Sequence, residues 1–250
     1  MPNELNFASE ASALAEYATL SLSPIFFGVG VPRGKGQPVL VLPGLFANDL
    51  YLQPLRGWLM RIGYRPLASG LAFNAGCPDR LSRDVEAQIE RANVVARGKL
   101  IIIGHSRGGI LGWAIAARLG ERVAGLVLLG SPAGTLSQAL RTSPALDPSR
   151  MAASPVVDAG TRARKLLDPA CDFPTCGCAF PNALARPLAG SLPIVSIASR
   201  TDAIVPTGAC YVAGAKNLIV DGSHSGLVAN REVYALLAAE LAALGRANGA

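Results

Sequence analysis

Residues 99–113 read Lys-Leu-Ile-Ile-Ile-Gly-His-Ser-Arg-Gly-Gly-Ile-Leu-Gly-Trp. An aliphatic run from Leu100 to Ile103 breaks into Gly104-His105-Ser106-Arg107-Gly108, and an apolar stretch of helical character follows at once. A serine flanked two positions away on each side by glycine, between a buried strand and a buried helix, specifies a sharp strand-to-helix turn. The turn holds Ser106 in a strained backbone conformation with its hydroxyl clear of the sheet, where side chains at 104 and 108 would collide. The backbone N–H of Arg107 then points at whatever Ser106 attacks, from the positive end of the following helix.

The rest of the chain supplies the sheet into which this turn fits. Val39–Leu42, Tyr64–Leu71, Leu100–Ile103, Val123–Leu129, Pro193–Ser199 and Leu218–Val220 read as strands. Helical patterns fall between them at Leu52–Ile62, Leu81–Arg97 and Ile110–Leu119, with a closing helix at Glu232–Leu244. This alternation implies right-handed crossovers and an α/β architecture: a mostly parallel sheet of about six strands with helices on both faces. Half of the residues are apolar and only 16% are charged, as a sheet covered on both faces requires. The 250 residues fit one domain, 1–250. Residues 133–190, rich in Pro, Ala and Ser, form an unusually long connection before the fifth strand, expected to arch over the carboxyl edge as a cap or lid. Residues 4–20 carry acids at helical spacing and read as an amphipathic helix docked on the core.

A serine hydroxyl needs a base to take its proton, and the chain has two histidines. His105 neighbours the serine on a turn where adjacent side chains diverge, so it is badly placed. His224 lies in Asp221-Gly222-Ser223-His224-Ser225-Gly226, just past a strand, at the edge where α/β sheets carry their sites. An acid must orient that base. Asp202 sits in the loop leaving the buried strand Pro193–Ser199; Asp221, the rival, is still at its own strand's end and reaches poorly behind the ring. After the first strand, Pro43-Gly44-Leu45-Phe46 turns at the same edge, so the N–H of Leu45 or Phe46 can face the reaction centre beside that of Arg107.

With these residues in place the chain resembles the α/β-hydrolases of the bacterial lipase and esterase type. Leu42-Pro43-Gly44-Leu45-Phe46 resembles that family's oxyanion loop, with proline where histidine is usual. Gly104-His105-Ser106-Arg107-Gly108-Gly109 resembles its nucleophile elbow, and Leu129-Gly130-Ser131-Pro132 the segment after its next strand. Ser199-Arg200-Thr201-Asp202 and Gly222-Ser223-His224 resemble its acid and base loops, in the family's chain order. The resemblance runs from about residue 37 to 245 and implies the α/β-hydrolase fold, with the opening strands of many relatives replaced by the N-terminal helix. It further implies hydrolysis of carboxylic esters with an apolar acyl group through an acyl-enzyme on Ser106, His224 and Asp202. Leu45 and Arg107 would supply the oxyanion N–H groups, and no metal or organic cofactor is called for. A thioesterase or acyltransferase would use the same residues, and a non-catalytic binding module would keep only the fold. Relatives that attack with aspartate are disfavoured by Ser106.

The formal net charge of +6 does not point to nucleic acid. The arginines from Arg56 to Arg97 are spread along helical stretches without interleaved aromatics, as on a solvated helix face. No apolar run reaches the length of a membrane span, and the first 22 residues lack the basic start of a secretory leader, so a cytoplasmic protein with a small-molecule or lipid-like ester substrate is expected. Cys171, Cys176, Cys178 and Cys210 leave three states open: reduced thiols, a disulfide joining the cap to Cys210, or a crowded metal site.

Overall fold

A computed structural model describes residues 12–93, 98–142, 155–172, 178–188, 190 and 192–247. Six parallel strands form one sheet: β1 (Pro38–Leu42), β2 (Arg65–Ala68), β3 (Leu100–His105), β4 (Val123–Leu129), β5 (Ile194–Ser199) and β6 (Lys216–Val220), in the order β2-β1-β3-β4-β5-β6. All six strands read from the sequence are present. The helices are α1 (Ala13–Ser21), α2 (Gln53–Arg61), α3 (Pro78–Arg91), α4 (Arg107–Leu119), α5 (Ala133–Thr142), α6 (Pro155–Leu167), α7 (Ala179–Ala185) and α8 (Arg231–Ala247).

The four inner strands, β1, β3, β4 and β5, are buried on both faces, so their apolar runs are continuous, yet alternate residues feed two separate cores. Val39, Val41, Ile101, Ile103, Val127 and Leu129 pack toward α1, α2 and α8, where Trp58 stacks 4.6 Å from the ring of Tyr234. Leu40, Leu42, Ile102, Leu126 and Leu128 pack toward α3, α4, α5 and α7. The indole of Trp58 donates to the carbonyl of Ile25 at 2.8 Å, which ties the turn after α1 to the sheet's underside.

The register aligns the carboxyl ends. Leu42 pairs with Gly104, His105 with Leu129, Leu129 with Ile197 and Ser199 with Val220, so the loops after five strands open on one rim. The chain runs outward from β1 to β2 and then crosses back to β3, so the strand order reverses between β1 and β3. That reversal leaves a crevice at the carboxyl edge, the place where open α/β sheets bind ligands.

Both ends of α3 differ from the sequence reading. The helix expected from Leu81 begins at Pro78, because a proline with no N–H to satisfy starts a helix readily, and it ends at Arg91. Residues 94–97 lie outside the described residues, as do residues 4–11 of the expected N-terminal helix. Between 133 and 190, α5 and α7 pack beside α4, with Leu136, Leu140, Phe180 and Leu184 in the core, while α6 lies nearer the rim.

Candidate active site

Ser106 follows β3 directly, with φ +52° and ψ −123°, a conformation that L-residues avoid and that costs roughly 1–3 kcal/mol. It persists because the surroundings leave no alternative. The Ser106 N–H donates to the carbonyl of Leu129 at 2.8 Å, and α4 starts at the next residue. A methyl at Gly104 would lie 2.4 Å from the Cα of Gly109, and one at Gly108 would lie 2.4 Å from the carbonyl oxygen of Leu42. Both glycines are therefore required by backbone passing backbone.

His224 Nδ1 lies 2.7 Å from Asp202 Oδ2, and the Asp202 side chain is fully buried. The other oxygen, Oδ1, accepts the N–H groups of Ile204 at 2.8 Å and Val205 at 2.7 Å. A carboxylate engaged in this way accepts a hydrogen bond from Nδ1–H, which leaves the lone pair of the neutral imidazole on Nε2. His224 and Ser106 line the same cavity. Asp221 is elsewhere: it is exposed and joined to Arg200 by two bonds of 2.9 and 2.7 Å, which hold its carboxyl below the usual range. His105 is buried beside the pair, with ring centres 4.9 Å apart, and its Nε2 donates to the backbone carbonyl of His224 at 3.0 Å. Burial first, and then the neighbouring His224, push the His105 imidazole down to about 3, so it stays neutral and braces the other histidine.

Across the crevice, a methyl on Gly44 would meet Ser106 Cβ at 3.3 Å, so the loop after β1 lies directly against the serine. Of its two candidate donors, the Phe46 N–H is engaged by the carbonyl of Asn74 at 3.1 Å. The Leu45 N–H has no acceptor among the described residues. The backbone N–H of Arg107 is free of intrahelical partners as the first residue of α4. The Arg107 side chain turns away, its guanidinium donating to the carbonyls of Asn74 at 3.1 Å and Gly76 at 2.6 Å.

Asn74 was not legible in the sequence. Fully buried, it donates from Nδ2 to the carbonyl of Pro43 at 2.7 Å, and its own N–H reaches the carbonyl of Ala47 at 2.9 Å. It thus holds both ends of the loop that carries Leu45. Tyr51 is a second such residue: its hydroxyl donates to the carbonyl of Ser225, next to His224, and its ring lies 5.9 Å from that of His105.

The cavity in front of Ser106 encloses about 680 Å³, with Leu45, Phe46, Tyr51, Ala159 and Ile204 among its walls and no charged side chain among the described ones. Ala159 belongs to α6, and a methyl on its neighbour Gly160 would meet Leu45 at 2.9 Å. The cysteines differ from one of the expected arrangements. Cys210 is a free thiol and Cys178 is disulfide-bonded, so no bridge joins the 171–178 segment to Cys210; Cys176 lies outside the described residues. Burial and then Asp202 push the Cys210 thiol up to about 12. Among the described residues no His, Cys, Asp and Glu cluster suits a metal, and no helix is long and apolar enough to cross a membrane.

A profile for the alpha/beta hydrolase fold matches residues 65–154. Among curated proteins, one from Variovorax paradoxus (strain S110) named as a carbamate hydrolase, RutD, is 30% identical over 117 residues; the match covers 43% of this chain and 42% of that relative's length. Among solved structures, a protein of Acinetobacter baumannii AYE described as a lipase superposes with a TM-score of 0.58 at 14% identity, covering 93% of this chain and 97% of its own. A structure from work on carboxylesterases of the thaumarchaeon Nitrososphaera gargenis gives 0.56 at 17%, covering 86% and 93%. An esterase of Thermogutta terrifontis gives 0.53 at 16%, covering 85% and 92%. At these identities the likeness is one of fold.

Proposed function

We propose that this chain, which has the α/β-hydrolase fold, is a serine hydrolase that cleaves carboxylic esters through an acyl-enzyme. One observation carries the reading: the buried Asp202–His224 pair, bonded at 2.7 Å, shares a cavity with a serine held at φ +52° on a glycine-locked turn. In this reading His224 Nε2 takes the Ser106 proton as Oγ attacks the carbonyl carbon. The tetrahedral oxyanion is held by the N–H groups of Leu45 and Arg107, each donor of this kind being worth about 3 kcal/mol of barrier. His224 then returns the proton to the leaving alcohol, and water deacylates the serine by the same route in reverse. Asp202 stays ionised and holds the imidazole in the productive tautomer throughout.

The cavity walls support the choice of substrate. An uncharged acyl group finds apolar contacts at Leu45, Phe46, Ala159 and Ile204 and no group that would pair with a charge. The segment Pro155–Leu167, which contributes Ala159, serves as the cap that shapes the acyl pocket and excludes water. Carbamates form the second substrate class, favoured by the name of the 30% identical Variovorax relative, since Ser106 would attack their carbonyl in the same way.

A series of p-nitrophenyl esters from acetate to decanoate, run beside a p-nitrophenyl carbamate, tests the reading. Hydrolysis should favour the apolar acyl esters and be abolished in Ser106→Ala at unchanged Tm. A folded Ser106→Ala variant with undiminished turnover would show the nucleophile to be misassigned.

A further inference from the structure

The loop that carries His224 is anchored at its other side by a residue about 200 positions away. Glu16, on α1, receives four hydrogen bonds, all donated to its carboxylate. Oε1 accepts the Ser223 N–H at 2.8 Å, the Ser223 hydroxyl at 2.8 Å and the Ser12 hydroxyl at 2.9 Å, and Oε2 accepts Asn230 Nδ2 at 3.1 Å. Two of these partners are nearly fully buried, Ser223 at 1% exposure and Asn230 at 8%. The network continues into the loop: the Gly226 N–H donates to Ser223 Oγ at 3.0 Å, and Asn230 also donates to the carbonyl of Asp221 at 2.9 Å. The loop is shaped around the carboxylate. A methyl at Gly226 would lie 2.5 Å from both Glu16 oxygens, and one at Gly222 would lie 2.6 Å from Oε2.

From this arrangement we infer that Glu16 is a positioning residue for His224, and that α1 is part of the working site. This rests on the reading of His224 as the base. Ser223 and Gly226 bracket the histidine, so fixing both fixes the backbone from which the imidazole reaches Asp202 and the elbow. Asp202 orients the ring from behind and His105 braces its carbonyl, while Glu16 sets the height of the loop over the sheet edge. A charge-assisted acceptor suits the task, because several donors converge on it.

The test uses the full chain with Glu16→Ala, Glu16→Gln and Gly226→Ala, the last displacing the carboxylate without removing it. Two readouts are taken: kcat and KM on p-nitrophenyl butyrate well below Tm, and the ring 15N shifts of His224, which report its tautomer independently of turnover. Glu16→Ala should lower kcat by roughly tenfold to a hundredfold with KM within about twofold, the scale of a small misplacement of a reacting group. Its His224 shifts should move from a fixed Nδ1–H form toward averaged tautomers. Glu16→Gln, which keeps an acceptor for Ser223, should fall between it and the wild type, and Gly226→Ala should follow Glu16→Ala. Unchanged ring shifts in a folded Glu16 variant would overturn the proposal whatever kcat does. Undiminished turnover in Ser106→Ala would instead overturn the hydrolase mechanism, and the ring shifts alone would then decide whether Glu16 positions His224.

Discussion

Replacing Asp202 by asparagine keeps the side chain's shape and removes its charge and one of its two acceptors, so the consequence is set by which way the amide settles. In one orientation the amide oxygen stays at the Oδ1 position and still accepts the N–H groups of Ile204 and Val205, now 2.8 and 2.7 Å away. In the other, the NH2 group faces both, and two half-buried donors lose their acceptor, at about 1 kcal/mol or more each. The first orientation wins by about 2 kcal/mol. It places an NH2 group 2.7 Å from His224 Nδ1, which answers by moving its proton to Nε2 and accepting at Nδ1. Folding then loses little, about 1 kcal/mol, while Nε2 no longer has the lone pair that takes the Ser106 proton. The expected loss in kcat is on the order of 10⁴-fold, equivalent to about 5.5 kcal/mol of barrier. Asp202→Asn and Asp221→Asn are compared on p-nitrophenyl butyrate with Tm measured alongside. Asp221, exposed and with its carboxylate paired to Arg200, should change kcat by less than about twofold. A folded Asp202→Asn retaining a tenth or more of wild-type kcat, or a larger loss from Asp221→Asn, would refute the assignment of the acid.

Asn74→Ala should leave the Pro43 carbonyl without its donor and cost about 1–3 kcal/mol in denaturant unfolding, with a fall in kcat at unchanged KM as the Leu45 N–H drifts from the reaction centre; a variant with wild-type kcat would show that the loop needs no such support. His105 makes stability depend on acid. Its folded value near 3 lies below the unfolded value near 6.5, so between them the unfolded chain binds more protons. Its contribution is complete above about pH 6.5 and falls by about 1.4 kcal/mol per pH unit as the pH drops toward 3. Unfolding free energies from pH 7 to 4 should show this slope and lose that part of it in His105→Gln; identical slopes would place the titration elsewhere.

What the sequence made legible follows from how local each constraint is. The elbow at 104–108 was readable because backbone crossing backbone leaves room for glycine alone, and that requirement is written at fixed spacing. Asp202 was separable from Asp221 because a residue just beyond a strand can turn back over the sheet edge while one at its end cannot. The choice of Leu45 over Phe46 came from the resemblance and not from the local residues, since what engages the Phe46 N–H is the Asn74 carbonyl, 28 positions away. Asn74, Tyr51 and Glu16 left no local trace at all: their bonds span 31, 174 and 207 positions. The helix α3 starts at Pro78, three residues before the apolar periodicity that begins at Leu81, because the first turn is set by a proline at a favourable first helical position and not by the pattern of buried residues. The stretch 133–190 read as a single excursion; the burial of Leu136, Leu140, Phe180 and Leu184 beside α4 depends on tertiary contacts that short apolar pairs do not announce.

Acyl-enzyme trapping puts the nucleophile itself to the question. The protein is mixed with p-nitrophenyl butyrate, quenched in acid within the first turnovers, digested and mapped by mass spectrometry. A butyryl adduct on the peptide carrying Ser106, absent in Ser106→Ala and accumulating with a burst of p-nitrophenol, is the predicted result. An adduct on another residue, or sustained turnover by Ser106→Ala with no adduct formed, would contradict it.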